Sequence, residues 1–98
     1  MSAFLIVNHD IDNPESYGEY QARAIAALRV GSECEALVFD ADSQHVEGEH
    51  TGRQTVVLKF ESMEKARGIY DSSEYQSIVG KRHDASSSHF AVLVDTLG

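Results

Sequence analysis

Cysteine, proline and basic side chains are all scarce in this chain of 98 residues, which has one cysteine, one proline, and eight Lys and Arg against sixteen Asp and Glu. With Cys34 alone no intrachain disulfide can form, and a reducing compartment is the natural setting. Cys34 sits between Glu33 and Glu35, whose negative charge raises a thiol pKa, so it reads as a structural residue and not as a nucleophile. The formal net charge is −8 and no basic cluster exceeds Lys81-Arg82. Phosphate would be repelled, which argues against nucleic acid and anionic membrane as partners. The longest apolar run, Ala3 to Val7, falls far short of the ~20 residues that cross a bilayer. It also lacks the flanks of a secretory signal, so the expectation is a cytoplasmic chain whose mature form starts at Met1. A glycine-rich phosphate loop, a serine nucleophile elbow and a Cys-x-x-Cys pair are all missing, so no cofactor is expected.

What is present is a regular alternation of strand and helix signals. Ala3 to Val7 reads as a central strand, unbroken in its apolar character and closed by Asn8-His9-Asp10. Asn13-Pro14 supplies an N-cap with proline at the first helical position, and Tyr17, Tyr20, Ala24, Ala27 and Leu28 form one stripe. The first helix is expected over 14–29, with Gly31 as its left-handed C-cap residue. A second strand is expected over Glu33 to Phe39, with Cys34, Ala36 and Val38 on one face and Leu37 and Phe39 on the other. Gln54 to Phe60 alternates as a further central strand, with Val56, Leu58 and Phe60 opposite Thr55, Val57 and Lys59. Ser62 caps a helix whose inward stripe is Met63, Ala66, Ile69 and Tyr70. Ser73 to Gln76 matches a capping box, which places a short helix from Glu74 towards Arg82. After a Ser86-Ser87-Ser88 linker, His89 to Val94 is the last strand, with Phe90, Val92 and Val94 on one face.

Strand, helix, strand, strand, helix, strand is the α+β order of a split βαβ, or ferredoxin-like, domain: a four-stranded antiparallel sheet with both helices on one face. The length allows one domain, 1–98. Strands one, three and four are apolar on both faces, yet the helices can cover only one, so the other face would expose an apolar patch. A second copy of the chain packed sheet on sheet is the simplest cover, which makes the protein its own expected partner, as a homodimer.

The elements Asn13-Pro14-x-x-Tyr17-x-x-Tyr20, Val46-Glu47-Gly48, Arg53 before Val56 to Phe60, Ser62-x-x-x-Ala66, Tyr70-x-Ser72-x-Glu74-Tyr75-Gln76 and Arg82-x-x-Ala85 resemble the family named domain of unknown function 1330 (DUF1330). The resemblance spans nearly the whole chain. It implies membership of the dimeric α/β-barrel superfamily, whose relatives include small antibiotic-biosynthesis monooxygenases, and it implies a sheet-to-sheet homodimer. Where the family commonly has a Gly-Gly pair, an Arg-Gly-Gly turn and an aromatic residue, this chain has Gly31-Ser32, Asp40-Ala41-Asp42 and His50.

A barrel of this kind places its cavity between sheet and helices, and Tyr17, Tyr20, His50, Arg53, Tyr70 and Arg82 are the groups expected to reach it. Arg53 and Arg82 are candidates to clamp the carboxylate of a small anionic organic molecule. The competing reading pairs them with Glu47, Glu74 or other carboxylates of an acid-rich chain, and that of the tyrosines is core packing with solvated hydroxyls. His50 is the candidate general base. His45, Glu47, Glu49 and His50 do not make a metal site, because on a strand His45 and Glu47 face away from His50. His9-Asp10 and His83-Asp84 read as solvated pairs at element ends. By superfamily analogy, the chemistry is that of a cofactor-independent oxygenase, isomerase or lyase; the alternative is a dimer that binds a small molecule, or only packs, without turnover.

Overall fold

The computed structural model describes residues 2–49 and 51–97, and of Ser88 and His89 it describes the backbone alone. Its elements in chain order are β1 (Ala3–Ile11), α1 (Pro14–Ala27), β2 (Cys34–Asp40), β3 (Gln54–Phe60), α2 (Met63–Tyr70), α3 (Ser73–Ala85) and β4 (Ser86–Asp95). The sheet runs β2-β3-β1-β4 with every neighbouring pair antiparallel. This is the ferredoxin-like order, with the two most buried strands, β1 and β3, at its centre.

Pairing sorts the strand residues into two faces. Ala3, Leu5, Val7 and His9 of β1 stand opposite Phe60, Leu58, Val56 and Gln54 of β3 and face the helices. Tyr17, Tyr20, Ala24 and Leu28 of α1, Ala66 and Ile69 of α2, and Tyr75 and Ile78 of α3 complete that core. Phe4 and Ile6, with Val57 of β3 and Val92 and Val94 of β4 opposite them, lie on the other face. Phe90, Val92 and Val94 there remain 44%, 40% and 36% exposed, so among the described residues no element covers this apolar face.

Each helix starts on the cap its sequence provides. Asn13 Oδ1 accepts from Ser16 N–H at 3.2 Å ahead of Pro14, and Ser62 Oγ accepts from Lys65 N–H at 3.1 Å. The cap of α3 is Ser72 and not Ser73: its Oγ accepts from Tyr75 N–H at 3.3 Å, which starts the helix one residue early. α3 then runs on to Ala85, past the expected end at Arg82.

Three other expectations are corrected. α1 ends at Ala27 with Leu28 as C-cap, and the left-handed residue is Arg29 at φ 60°. Arg29 N–H donates to Ala26 O and Val30 N–H to Ile25 O, the paired bonds of a Schellman motif, while Gly31, also at positive φ, belongs to the turn beyond. β2 is bulged between Ala36 and Val38, so Phe39 joins Cys34 and Ala36 on the helix face, opposite Val56, and Val38 crosses to stand opposite Val57. The three serines are strand, not linker: Ser86, Ser87 and Ser88 pair with Ile11, Asp10 and His9. β1 is longer than its apolar run and offers them partners, so ladder hydrogen bonds override serine's weak strand preference.

Between β2 and β3 the described residues 41–49 and 51–53 are irregular, and the second of these stretches is fastened to the end of β1. Gly52 N–H donates to Asn8 Oδ1 at 2.6 Å, and Asn8 Nδ2 donates to Gly52 O and Thr55 Oγ1, both at 3.1 Å. Arg53 N–H donates to Asp10 Oδ1 at 2.9 Å. Gly52 lies so close to β1 that a Cβ there would fall 2.4 Å from the carbonyl carbon of His9, so only glycine fits. This fastening fixes where β3 begins and hence where Gln54 points. Among the described residues no helix is long and apolar enough to cross a membrane.

Candidate functional site

Polar side chains from four elements meet in the core between sheet and helices. Alternation along β1 puts His9 on the same face as Leu5 and Val7, and alternation along β3 does the same for Gln54 with Val56 and Leu58. Helical spacing brings Tyr17 and Tyr20 inward from α1, and Tyr75 and Arg82, seven residues apart, inward from α3. Tyr20 and Tyr75 share a hydrogen bond of 2.7 Å between phenol oxygens, and Arg82 Nη1 donates to Tyr75 Oη at 3.1 Å. Gln54 Nε2 donates to Tyr17 Oη at 2.9 Å and also lies 2.9 Å from His9 Nε2. The His9 and Tyr17 rings meet edge to face, with centroids 5.3 Å apart.

These groups surround an enclosed space of about 40 Å³, lined by His9, Tyr17, Tyr20, Tyr75 and Arg82 against Leu5, Val7, Leu28, Val56 and Leu58. Next to it, an apolar cleft of about 190 Å³ between α1 and the β2 side of the sheet shares Tyr17, Tyr20, Leu28, Val56 and Leu58 and continues over Ala24, Ile25 and Phe39. Tyr17 also borders an outer groove of about 500 Å³ that holds Arg53 and Gln54. A further open groove of about 610 Å³, lined by Glu33, Glu35, Lys59, Glu61 and Lys65 among others, gathers exposed charges.

The electrostatics of the enclosed space follow from burial. Arg82 is 3% exposed, and among the described residues no carboxylate forms an ion pair with it. Burial opposes its charge, but the phenol oxygens of Tyr75, Tyr20 and Tyr70 more than offset this and hold its pKa above the ordinary guanidinium value. Its place in the last turn of α3 also sets it against the negative end of the helix dipole. Burial and the nearby Arg82 charge lower the pKa of His9 to about 4, so its ring is neutral at physiological pH. Burial raises the phenols of Tyr17, Tyr20 and Tyr75 above their usual range, with Arg82 opposing in each case. They are therefore hydrogen-bonding phenols and not phenolates.

The residues expected from sequence divide. Tyr17, Tyr20 and Arg82 converge on the enclosed space. Tyr70 is half-buried and reaches the cluster through its ring, 5.1 Å from that of Tyr75, and through its hydroxyl, whose hydrogen bond helps to hold the charge of Arg82. Arg53 stays outside, exposed, donating to Asp42 Oδ1 at 2.6 Å through Nη2, so the competing reading of a carboxylate pair holds for it, with Asp42 as the partner. His50 lies outside the described residues. Three members were missed. His9 is 1% exposed and not a solvated end residue, because β1 continues past Val7; Tyr75 and Gln54 carried signals in helical spacing and strand alternation. The hydroxyls of Tyr17 and Tyr20 are bonded to protein groups and are not solvated as the packing reading supposed, and that of Tyr75 is bonded in the same way. Cys34 is buried, and burial alone pushes its thiol up to about 11, so the neighbouring glutamates are not the cause. Among the described residues no group of three or more His, Cys, Asp or Glu could hold a metal ion.

Comparison with known proteins places this geometry. The model of the domain of unknown function DUF1330 matches residues 2–96. No curated protein matches the chain by sequence. Among solved structures, the chain is similar to SnoaB, a cofactor-independent oxygenase from Streptomyces nogalater, with TM-score 0.67 and 9% identity over 99% of this chain and 94% of that one. A protein of unknown function from Rhodopseudomonas palustris superposes with TM-score 0.70 at 13% identity, over 99% of this chain and 83% of that one. A dimeric protein of unknown function with a ferredoxin-like fold from Bacteroides fragilis does so with TM-score 0.55 at 11% identity, over 97% and 96%. At these identities the likeness is one of fold.

Proposed function

The chain belongs to the DUF1330 family, and from that premise we propose that it is a cytoplasmic homodimer, each subunit of which holds a small anionic organic molecule between sheet and helices and acts on it without a cofactor. The observation that carries the reading is Arg82, a buried guanidinium with no carboxylate partner among the described residues, at the closed end of an apolar cleft. The phenol oxygens around it solvate this charge but, as neutral groups, do not neutralise it, and an anionic ligand is the natural counter-charge. In cofactor-independent oxygenase or isomerase chemistry, proton removal leaves an enolate or phenolate, and a fixed guanidinium in a dry site stabilises such a charge. Tyr17, Tyr20 and Tyr70 shape and polarise the pocket, while His50 is the sequence's candidate for moving the proton. Arg53 contributes at most to the outer groove.

For the dimer, the support is the uncovered apolar face of β1, β3 and β4. A second copy matches it in kind, and the Bacteroides fragilis protein of the same fold is a dimer. Binding without turnover is the second reading. It is favoured by the state of the cavity's own groups, since His9 is neutral with one ring nitrogen already engaged and the phenols hold their protons.

Native mass spectrometry tests the proposal. Its expected result is a mass near twice the 10.8 kDa subunit with a small-molecule adduct that Arg82→Met loses and Arg53→Ala keeps. A bare monomer, or an adduct indifferent to Arg82→Met, would overturn it. Turnover of the released compound by the wild type, lost in His50→Ala with binding intact, separates the catalytic reading from simple binding.

A further inference from the structure

Two buried side-chain atoms have no hydrogen-bond partner among the described residues, His9 Nδ1 and Arg82 Nε, and both belong to residues that line the small cavity. Their residues are 1% and 3% exposed, so bulk water does not serve them. Native interiors satisfy nearly all such atoms, and a pair left open in one small space asks for a common explanation.

Hydrogen bookkeeping gives the sign of what is missing. Arg Nε carries a hydrogen and cannot accept. The amide nitrogen of Gln54 has two hydrogens; one goes to Tyr17 Oη, and the other faces His9 Nε2 at 2.9 Å. Nε2 therefore accepts, and the proton of the neutral ring sits on Nδ1. Both open atoms are donors, and what the cavity lacks is an acceptor.

We propose that His9 Nδ1–H and Arg82 Nε–H form a two-donor oxyanion site that receives one oxygen of a carboxylate or enolate monoanion whose apolar body lies in the cleft between α1 and β2. This rests on the pocket reading above and adds to it the second donor and the class of ligand. The enclosed space of about 40 Å³ admits a water-sized group, so only the head of a ligand enters. The adjoining cleft of about 190 Å³, bounded by Ala24, Ile25, Leu28 and Phe39, offers a larger body hydrophobic contact and no charge. A tetrahedral phosphate dianion fits neither the space nor the single fixed cation.

The probes are sodium benzoate and, for contrast, inorganic phosphate, added to ¹⁵N-labelled wild-type protein. Long-range ¹H–¹⁵N correlation reads the histidine tautomer directly, a point that heavy-atom positions leave to inference. The expected result is a neutral, Nδ1-protonated His9 near pH 7, with benzoate and not phosphate shifting both His9 Nδ1 and Arg82 Nε. Benzoate affinity should fall at least about tenfold in His9→Phe and in Arg82→Met. A proton on Nε2 would overturn the proposal in the unmodified protein, whether or not the variants fold. Benzoate that perturbs Phe39 and Tyr17 but leaves the two nitrogens unmoved would overturn the oxyanion site and leave the pocket standing. Benzoate that perturbs neither would overturn both.

Discussion

Tyr20 and Tyr75 are 55 positions apart in sequence, on α1 and α3, yet their phenol oxygens lie 2.7 Å apart in the core. Only Tyr75 also holds Arg82, whose Nη1 donates to it at 3.1 Å. The two tyrosines are therefore unequal, although both are buried and both are hydrogen-bonded.

Tyr20→Phe removes one partner of Tyr75 and leaves the other, so the expected cost is about 1 kcal/mol. Tyr75→Phe strips Tyr20 and Arg82 Nη1 together and should cost about 3 kcal/mol, because the stranded groups stay buried. Urea unfolding of the two variants, with the slope m unchanged, measures the difference. Equal costs would mean that Tyr75 is not the link between them.

At Gly52 the limit is space and not backbone angle. A methyl group there would meet three backbone atoms of His9, at 2.4, 2.6 and 2.7 Å, and backbone cannot swing aside as a side chain can. Gly52→Ala is expected to destabilise by about 3 kcal/mol or more, through overpacking and loss of the Asn8 clamp. Thermal unfolding checks it, and a loss below about 1 kcal/mol would show that the loop is free to move away.

Arg29 holds the left-handed position that ends α1 at φ 60°, where a side chain is strained and glycine is not. Its exposed ion pair with Glu33 contributes little in return. Arg29→Gly is expected to raise stability by up to about 1 kcal/mol, read as a shift in denaturation midpoint, and Arg29→Ala to leave the strain in place.

His9 sets a pH dependence with a definite sign. Its pKa is about 4 in the folded chain against 6.5 for the ordinary group. Above pH 6.5 both states are neutral and nothing changes. As pH falls from 6.5 towards 4 the unfolded chain takes up a proton that the folded one refuses, and stability drops by as much as about 3 kcal/mol. His9→Gln should lack this segment of the curve while keeping any lost to carboxylates at lower pH; overlapping curves would count against a buried neutral His9.

Much of this fold was legible because local signals agreed with it. Asn13-Pro14, Ser62 and the alternation of β3 each specify an element by short-range chemistry. The bulge in β2 left no such mark, since Leu37 differs little from its neighbours and the extra residue is set by pairing with β3. Tyr17, Tyr20 and Arg82 were recognisable as residues that would line the cavity, whereas His9 was not, because a strand was ended where its apolar run ended. Continuing the alternation Leu5, Val7, His9 would have turned that ring inward. The same alternation carries Gln54 inward with Val56 and sends its neighbour Arg53 outward, which is why one of two similar arginines belongs to the cavity and the other does not.

Helix α3 ends at Ala85 and strand β4 begins at Ser86, with no residue between them. Ala85 O accepts from the N–H groups of Asp12 and Asn13 at 2.9 and 3.0 Å, tying the junction to the start of α1. Chain length is therefore a fixed quantity here. One inserted residue must either turn everything before it by about 100°, carrying Arg82 off its bearing, or slip β4 by one place and exchange its faces. Insertions and deletions have room in the irregular stretch 41–49, whereas the count from Tyr75 to Val94 works as a ruler that sets the guanidinium and the sheet face from a single origin.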